Sequence, residues 1–427
     1  MGVIAQLLQD VALPRMVRIR QLFPGCALLD VAGALRAEFL KPAIARRLKK
    51  GMRIAVGVGS RGVADLPLLV SVVVDELKQR GTLPFIVPAM GSHGGATAEG
   101  QASVLAALGV TEASAGCPIV SSMNTVELGA LDNGLPILMD ENAMRADGIV
   151  VINRVKPHTS FSGPIESGLV KMMTIGLGKQ KGADSCHIFG FGFMAKNIVD
   201  MAGIKLQKAP FLFGVATVEN AYDKVAKVVV IPAEEIIETE KQLLQEAKKS
   251  MPSILFTPLD ILIVDLMGKN YSGTGTDPNI TGRASTPFLV TTQVIGKMAI
   301  LDLSDASHGN ATGVGFADLT TRRLFNKVDF EATYANHITA TVLSHAKVPV
   351  MMDSDRLAIQ AAVKTCNVPD LSRVRMVHVR YTLHLDTIRI SESMLEEARQ
   401  HPRLSVLGEP EEWRFDACGN LPNLGKW

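Results

Sequence analysis

Apolar and polar positions fall in blocks along this chain. Residues 52–56 form a short apolar run closed by the glycine-rich turn GVGSRG at 57–62. A mixed apolar stretch occupies 64–80, then comes Gly81, then the run LPFIVPAM at 83–90. A short apolar run bounded by turn residues predicts a buried strand, and the longer stretch predicts a helix. Strand, loop, helix, strand is the order of a parallel sheet. Thr97 is placed to cap a helix over 98–108. A further buried strand is predicted at 148–155, followed by a polar, glycine-rich segment to about Gly192 with no element assigned. Residues 233–250 (AEEIIETEKQLLQEAKKS) read as an amphipathic, charge-laced helix. Pro252 and Pro258 punctuate the chain after this helix. A second α/β unit opens with the strand-type run at 259–268, with more strands expected at 297–303 and 375–379. The fold class expected is α/β, with two α/β domains built on mainly parallel sheets. The expected domains are residues 1–250 and 251–427.

A length of 427 residues fits that division, because one core rarely serves so long a chain. Apolar residues at 47% and charged residues at 20% exclude disorder as the main state. With 44 Lys and Arg against 42 Asp and Glu, and only 5% aromatics, no dedicated nucleic-acid surface or polybasic membrane surface is expected. No apolar run approaches the roughly 18 residues of a membrane span; the richest, 66–74, is cut by Pro67 and followed by Asp75 and Glu76. The N-terminal stretch reads as no signal peptide, and Gln6 breaks the myristoylation pattern. Five widely spaced cysteines make neither a disulfide framework nor a CxxC metal knuckle, so a cytoplasmic setting is expected.

The chemistry gathers in loops after strands, where open α/β sheets bind ligands. GVGSRG has the spacing of a dinucleotide turn, but the second strand ends in Pro88, Ala89, Met90 and Gly91, without the carboxylate that would hold a ribose. A turn binding a carboxylate or phosphate through Arg61, or a plain tight turn, are the other readings. GLGKQKGA at 176–183 lacks the spacing of a Walker loop. The loop GKNYSGTGTDPNITGR at 268–283 offers Lys269, Asn270, Asp277, Asn279 and Arg283. Among nine histidines, His93, His158 and His187 stand in glycine-rich loops or near predicted strand ends, with His308 a fourth of this kind. His337, His345, His378, His384 and His401 read as structural or surface residues.

The segments GSHGGAT at 91–97 and NRVKPHTSFSGPIESGLVKMMTIGLGK at 153–179, with His187 placed 16 residues after Lys171, resemble the lactate racemase family of nickel-pincer-dependent isomerases. The resemblance is strongest from about 57 to 190. It departs in the His158-to-Lys171 interval and in the loop at 268–283. It implies a nickel-pincer nucleotide, that is, nickel held by a pyridinium thioamide/thiocarboxylate mononucleotide. His187 would be the axial nickel ligand and Lys171 the lysine that holds the cofactor covalently. Lys179 and Lys181 are weaker alternatives to Lys171. His93 and His158 would be the two acid/base residues. Gly91, Ser92, Gly176 and Gly178 would cradle the cofactor. Arg61 would bind the substrate carboxylate, with Lys269, Asn270 and Arg283 as further substrate contacts. All would converge on an inter-domain active-site cleft.

The implied reaction is racemisation or epimerisation at C2 of a 2-hydroxy acid. The C2 hydrogen would leave as hydride while a histidine takes the hydroxyl proton, and two proton acceptors are needed because the hydroxyl lies differently in the two enantiomers. The polar loop at 269–283 suggests a larger polar acid over lactate. Expected partners are the small-molecule acid and cofactor maturation proteins, with homo-oligomerisation left open. The alternatives are a zinc-dependent hydrolase using His93, His158 and His187, or a non-catalytic ligand-binding protein on the same fold.

Overall fold

The apolar run at 52–56 becomes the strand Arg53–Val58 in the computed structural model, which describes residues 2–60 and 62–427. This strand lies between the parallel strands Leu83–Pro88 and Gly148–Arg154, and Phe211–Glu219 continues the parallel set. Val225–Pro232 closes the five-stranded sheet as an antiparallel edge. The helix Leu66–Gln79 buries Leu69, Val70, Val73 and Leu77, and shares one core with Leu35 and Phe39 of the helix Val31–Phe39. Phe39 meets Phe213 edge to face at 5.5 Å, which ties this helix layer to the sheet. Thr97 caps the helix Ala98–Ala107, accepting the Gly100 N–H at 3.0 Å.

The second sheet has eight strands. Val350–Met352, Leu319–Thr321, Ile295–Leu303, Leu259–Met267 and Met376–Val379 run parallel. Thr387–Ser391, Met16–Gln21 and Leu404–Val406 come next as antiparallel neighbours. The fold is thus α/β, with parallel sheet centres and antiparallel edges. The compact units are Gly25–Met251, and Met1–Pro24 together with Pro252–Trp427. This differs from a single cut at 250 in the first 24 residues, whose strand Met16–Gln21 pairs with segments more than 350 positions later.

Two further readings change. The segment at 169–187, to which the sequence assigned no element, is helical: Leu169–Lys171, a wider turn at Met172–Gly176, and Lys179–His187. Polar and glycine positions interrupt its apolar ones, but Leu169, Val170, Met172, Met173, Ala183 and Cys186 are all buried. A hairpin of Thr125–Ala130 and Pro136–Asp140 lies in a region left without elements. All five cysteines are free. Among the described residues, no helix is long and apolar enough to cross a membrane.

Candidate active site

The strand Gly148–Arg154 delivers the chain into a loop that is stapled shut. Lys156 and Ser167 exchange backbone hydrogen bonds, and the Asn153 amide donates to the Gly168 carbonyl at 2.8 Å. Inside the loop sits Glu166, only 1% exposed. It accepts from the His158 N–H at 2.7 Å, the Gly163 N–H at 3.1 Å and the Lys248 ammonium at 2.6 Å. A buried carboxylate with this many donors fixes the loop backbone, and so the root of the His158 side chain.

The His158 ring packs on Phe161 at 4.4 Å between centroids. Its Nδ1 accepts the Ser160 N–H at 3.0 Å, and its Nε2 lies 2.6 Å from Lys171 Nζ. The Lys171 amine and the His158 ring therefore share a hydrogen bond at Nε2.

His187 ends the helix Lys179–His187, and its Nδ1–H donates to the Ala183 carbonyl at 2.7 Å. That bond leaves the lone pair on Nε2, as in a metal-binding histidine oriented by its other nitrogen. Burial lowers the His187 pKa; the bond to Ala183 opposes the shift, the Lys171 charge adds to it, and Asp184 opposes it. The ring therefore stays neutral, as a ligand must. Both His158 and His187 pack against Phe191, at 6.2 and 5.9 Å between centroids. Cys186 is buried, and burial pushes its thiol up to about 12. It is a packing residue rather than a thiolate ligand. Among the described residues, no three His, Cys, Asp or Glu side chains form a metal-holding group. The zinc triad of His93, His158 and His187 is therefore not assembled.

His93 is exposed and its Nδ1 is hydrogen-bonded with the Ser60 hydroxyl. Its loop is held from below. Gly91, at φ +59, donates its N–H to the Gly176 carbonyl at 3.1 Å, and an added Cβ there would meet Ile175 at 3.1 Å. Gln101, fully buried, donates to the Gly91 carbonyl at 2.9 Å and the His93 carbonyl at 3.3 Å. Its own oxygen accepts from Lys179 at 3.3 Å. Lys179 is also fully buried, bonded to the Pro88 carbonyl at 2.5 Å and paired with Asp140 at 3.1 Å. Burial lowers the Lys179 pKa and raises that of Asp140, while each charge opposes the other's shift. Lys179 is thus a structural cation, and Lys181 is exposed. The sequence reading missed the roles of Gln101, Asp140 and Glu166; an acid or amide interrupting an apolar stripe was the available signal.

The structure therefore brings His158 and His187 together on Phe191, with Lys171 bonded to His158, and joins the His93 loop to them through backbone and buried side chains. Gly176 and Gly178 are buried where the loops pack: a Cβ on Gly176 would lie 2.6 Å from the Ala89 carbonyl, and one on Gly178 equally close to that of Thr174. Ser92 is half-buried beside them. Arg61 lies outside the described residues.

Lys269, Asn270 and Arg283 belong to the other unit. Lys269 donates to the Gly273 carbonyl at 3.0 Å and to Asn336 at 2.6 Å. Arg283 is paired with Asp318 at 2.6 Å and donates to the Gly296 carbonyl at 3.1 Å. Asn270 is exposed. The remaining polar groups of the loop are largely turned inward. Thr274 donates to the Thr276 carbonyl at 2.8 Å, the Asp277 N–H donates to Thr382 at 2.9 Å, and Asn279 bonds Asp277 at 3.0 Å. His308 is exposed at a turn with φ +48.

Residues 30–192 match the family model of the lactate racemase N-terminal domain. No curated protein matches the chain. Among solved structures, a protein from Thermotoga maritima superposes with a TM-score of 0.48 at 16% identity, over 65% of this chain and 72% of that one. The lactate racemase apoprotein from Thermoanaerobacterium thermosaccharolyticum superposes with a TM-score of 0.45 at 17% identity, over 66% and 74%. The matched segment contains His93, His158, Lys171 and His187, so this part of the chain is similar to the lactate racemase N-terminal domain.

Proposed function

We propose that this protein is a nickel-pincer-dependent racemase or epimerase of 2-hydroxy acids. The observation that carries the reading is the cluster at Phe191: His158 with the Lys171 amine hydrogen-bonded to its Nε2, beside a His187 whose Nδ1 is bonded to the Ala183 carbonyl and whose Nε2 is left for a ligand. A pincer nucleotide would bring its own sulfur and carbon donors, so its nickel would need only one protein nitrogen. The donor set fits that demand. Lys171 would hold the nucleotide covalently and His187 would ligate the nickel. When bound, the group supplies a reversible acceptor for the C2 hydrogen as hydride.

The chain's own residues do the rest. His158, its backbone fixed by Glu166 and its Nδ1 by Ser160, presents Nε2 for proton transfer with the substrate hydroxyl. His93, on a loop anchored by Gln101, serves the opposite enantiomer. The substrate class is a 2-hydroxy acid. The donors at 269–283 that argued for a large polar acid are mostly engaged within their own loop, so lactate-sized acids belong in the test beside dicarboxylic and aldonic acids. A cytoplasmic setting and partnership with cofactor maturation proteins are part of the same proposal.

The test is inversion at C2, read by chiral chromatography, with the full chain made together with those maturation proteins. Inversion of at least one acid of the panel, abolished by His158→Asn and with the label of a C2-deuterated acid retained in the product, is expected. Nickel-loaded protein that inverts none of the acids, or that loses the C2 label to water, would overturn the reading.

A further inference from the structure

Lys171 stands in the middle of a short helical segment, Leu169–Lys171 running into the wider turn Met172–Gly176. Such a segment has unpaired N–H groups at its start and unpaired carbonyls at its end. Two buried ionisable side chains meet them. At the start, Glu240 from the helix Ile236–Ser250 accepts the Val170 N–H at 3.0 Å. Towards the end, Lys205 from the helix Phe191–Lys208 donates to the carbonyls of Met173 at 2.8 Å and Thr174 at 2.9 Å.

Glu240 is 0% exposed and Lys205 1%. Among the described residues, neither forms an ion pair; the other Glu240 oxygen has no hydrogen-bond partner at all. Burial raises the Glu240 pKa to about 7 and lowers that of Lys205 to about 7. Isolated buried ionisable groups are costly, and apolar side chains of similar volume usually stabilise a core better. The backbone has also made room. Gly168 is extended, and a Cβ there would fall 2.4 Å from Glu240 Oε1.

We propose that Glu240 and Lys205 are positioning residues for Lys171: they grip the segment at 169–176 from both ends and so hold the Lys171 amine against His158. The importance of that position for catalysis rests on the reading of Lys171 as the cofactor-holding lysine. The grip itself does not.

The experiment is competitive acetylation of the full-length protein, made without maturation proteins, using a trace of acetic anhydride. Modification of Lys171 is read by peptide mass spectrometry as a ratio to the exposed Lys181. Glu240→Ala and Lys205→Met should change that ratio by about threefold or more, the effect of losing one hydrogen bond of average strength. Glu240→Gln keeps an oxygen for the Val170 N–H and should restore the wild-type ratio. Gly168→Ala, which leaves both side chains in place but displaces Glu240, should act like Glu240→Ala and carries the test if the others fail to fold. Lower melting temperatures with an unchanged Lys171 ratio would overturn the proposal and leave a purely structural role. An altered ratio in the variants, together with a matured wild type that carries no nucleotide, would keep the grip and remove the cofactor reading. An unaltered ratio, together with a matured wild type that does carry it, would do the reverse.

Discussion

Replacing Glu240 by Gln should change how stability depends on pH. Burial raises this carboxyl from 4.5 to about 7, against the pull of the Val170 and Leu169 N–H groups. A raised acid binds its proton more tightly in the folded state than in the unfolded one. Its folded form is therefore favoured at low pH, and stability is lost as pH rises from about 4.5 to about 7. At 1.36 kcal/mol per unit, the full loss is about 3 kcal/mol, of which about 2.5 falls between pH 5 and pH 8. The group is completely buried, so solvent screening takes little from this figure. Glu240→Gln keeps the carbonyl acceptor and cannot ionise. Urea unfolding of both proteins at pH 5 and pH 8 gives the difference directly. The variant should gain about 2 to 3 kcal/mol on the wild type over that interval. A stability difference that is constant with pH would refute the burial argument. A difference of opposite sign would mean that an unrecognised cation stabilises the carboxylate.

Two other outcomes depend on buried groups. Lys179→Met strands the Asp140 carboxylate and should cost about 3 to 5 kcal/mol in urea unfolding, with part of the loss recovered by adding Asp140→Asn, which keeps the helix cap at Ala143. Thiol labelling of the native protein at pH 8 should modify the exposed Cys26 and Cys418 and spare Cys117 and Cys186, whose thiols burial pushes up to about 11 and about 12; rapid labelling of Cys186 would show that its pocket is open.

The parts of the fold that were legible in the sequence are those set by local pattern. Runs at 52–56, 148–155 and 259–268 are short, apolar and bounded by turn residues, and each is a central parallel strand buried on both faces. Met16–Gln21 was not legible, because Arg18 and Arg20 break its apolar run and its partners lie at the far end of the chain. The helical nature of 169–187 was hidden by Gly176, Gly178 and Gly182, which helix propensity opposes; Gly176 is demanded by the close approach of the Ala89 carbonyl and Gly178 by that of Thr174 in its own segment. At the site, residue type and order pointed to His158, Lys171 and His187, and these share one aromatic neighbour or a direct hydrogen bond. The supporting groups escaped because a lone Glu or Lys in a helix or a polar loop reads as solvated. Only the tertiary structure turns Glu166, Lys179, Lys205 and Glu240 inward.

The central claim is that Lys171 and His187 hold a nickel-bearing nucleotide. Intact mass and metal analysis of the full-length protein made with cofactor maturation proteins test it most directly. The wild type should carry nickel and a covalent nucleotide mass; Lys171→Ala should lose the mass increment, and His187→Ala should lose nickel. Wild-type protein with neither nickel nor added mass, or His187→Ala protein with its full nickel content, would contradict the account.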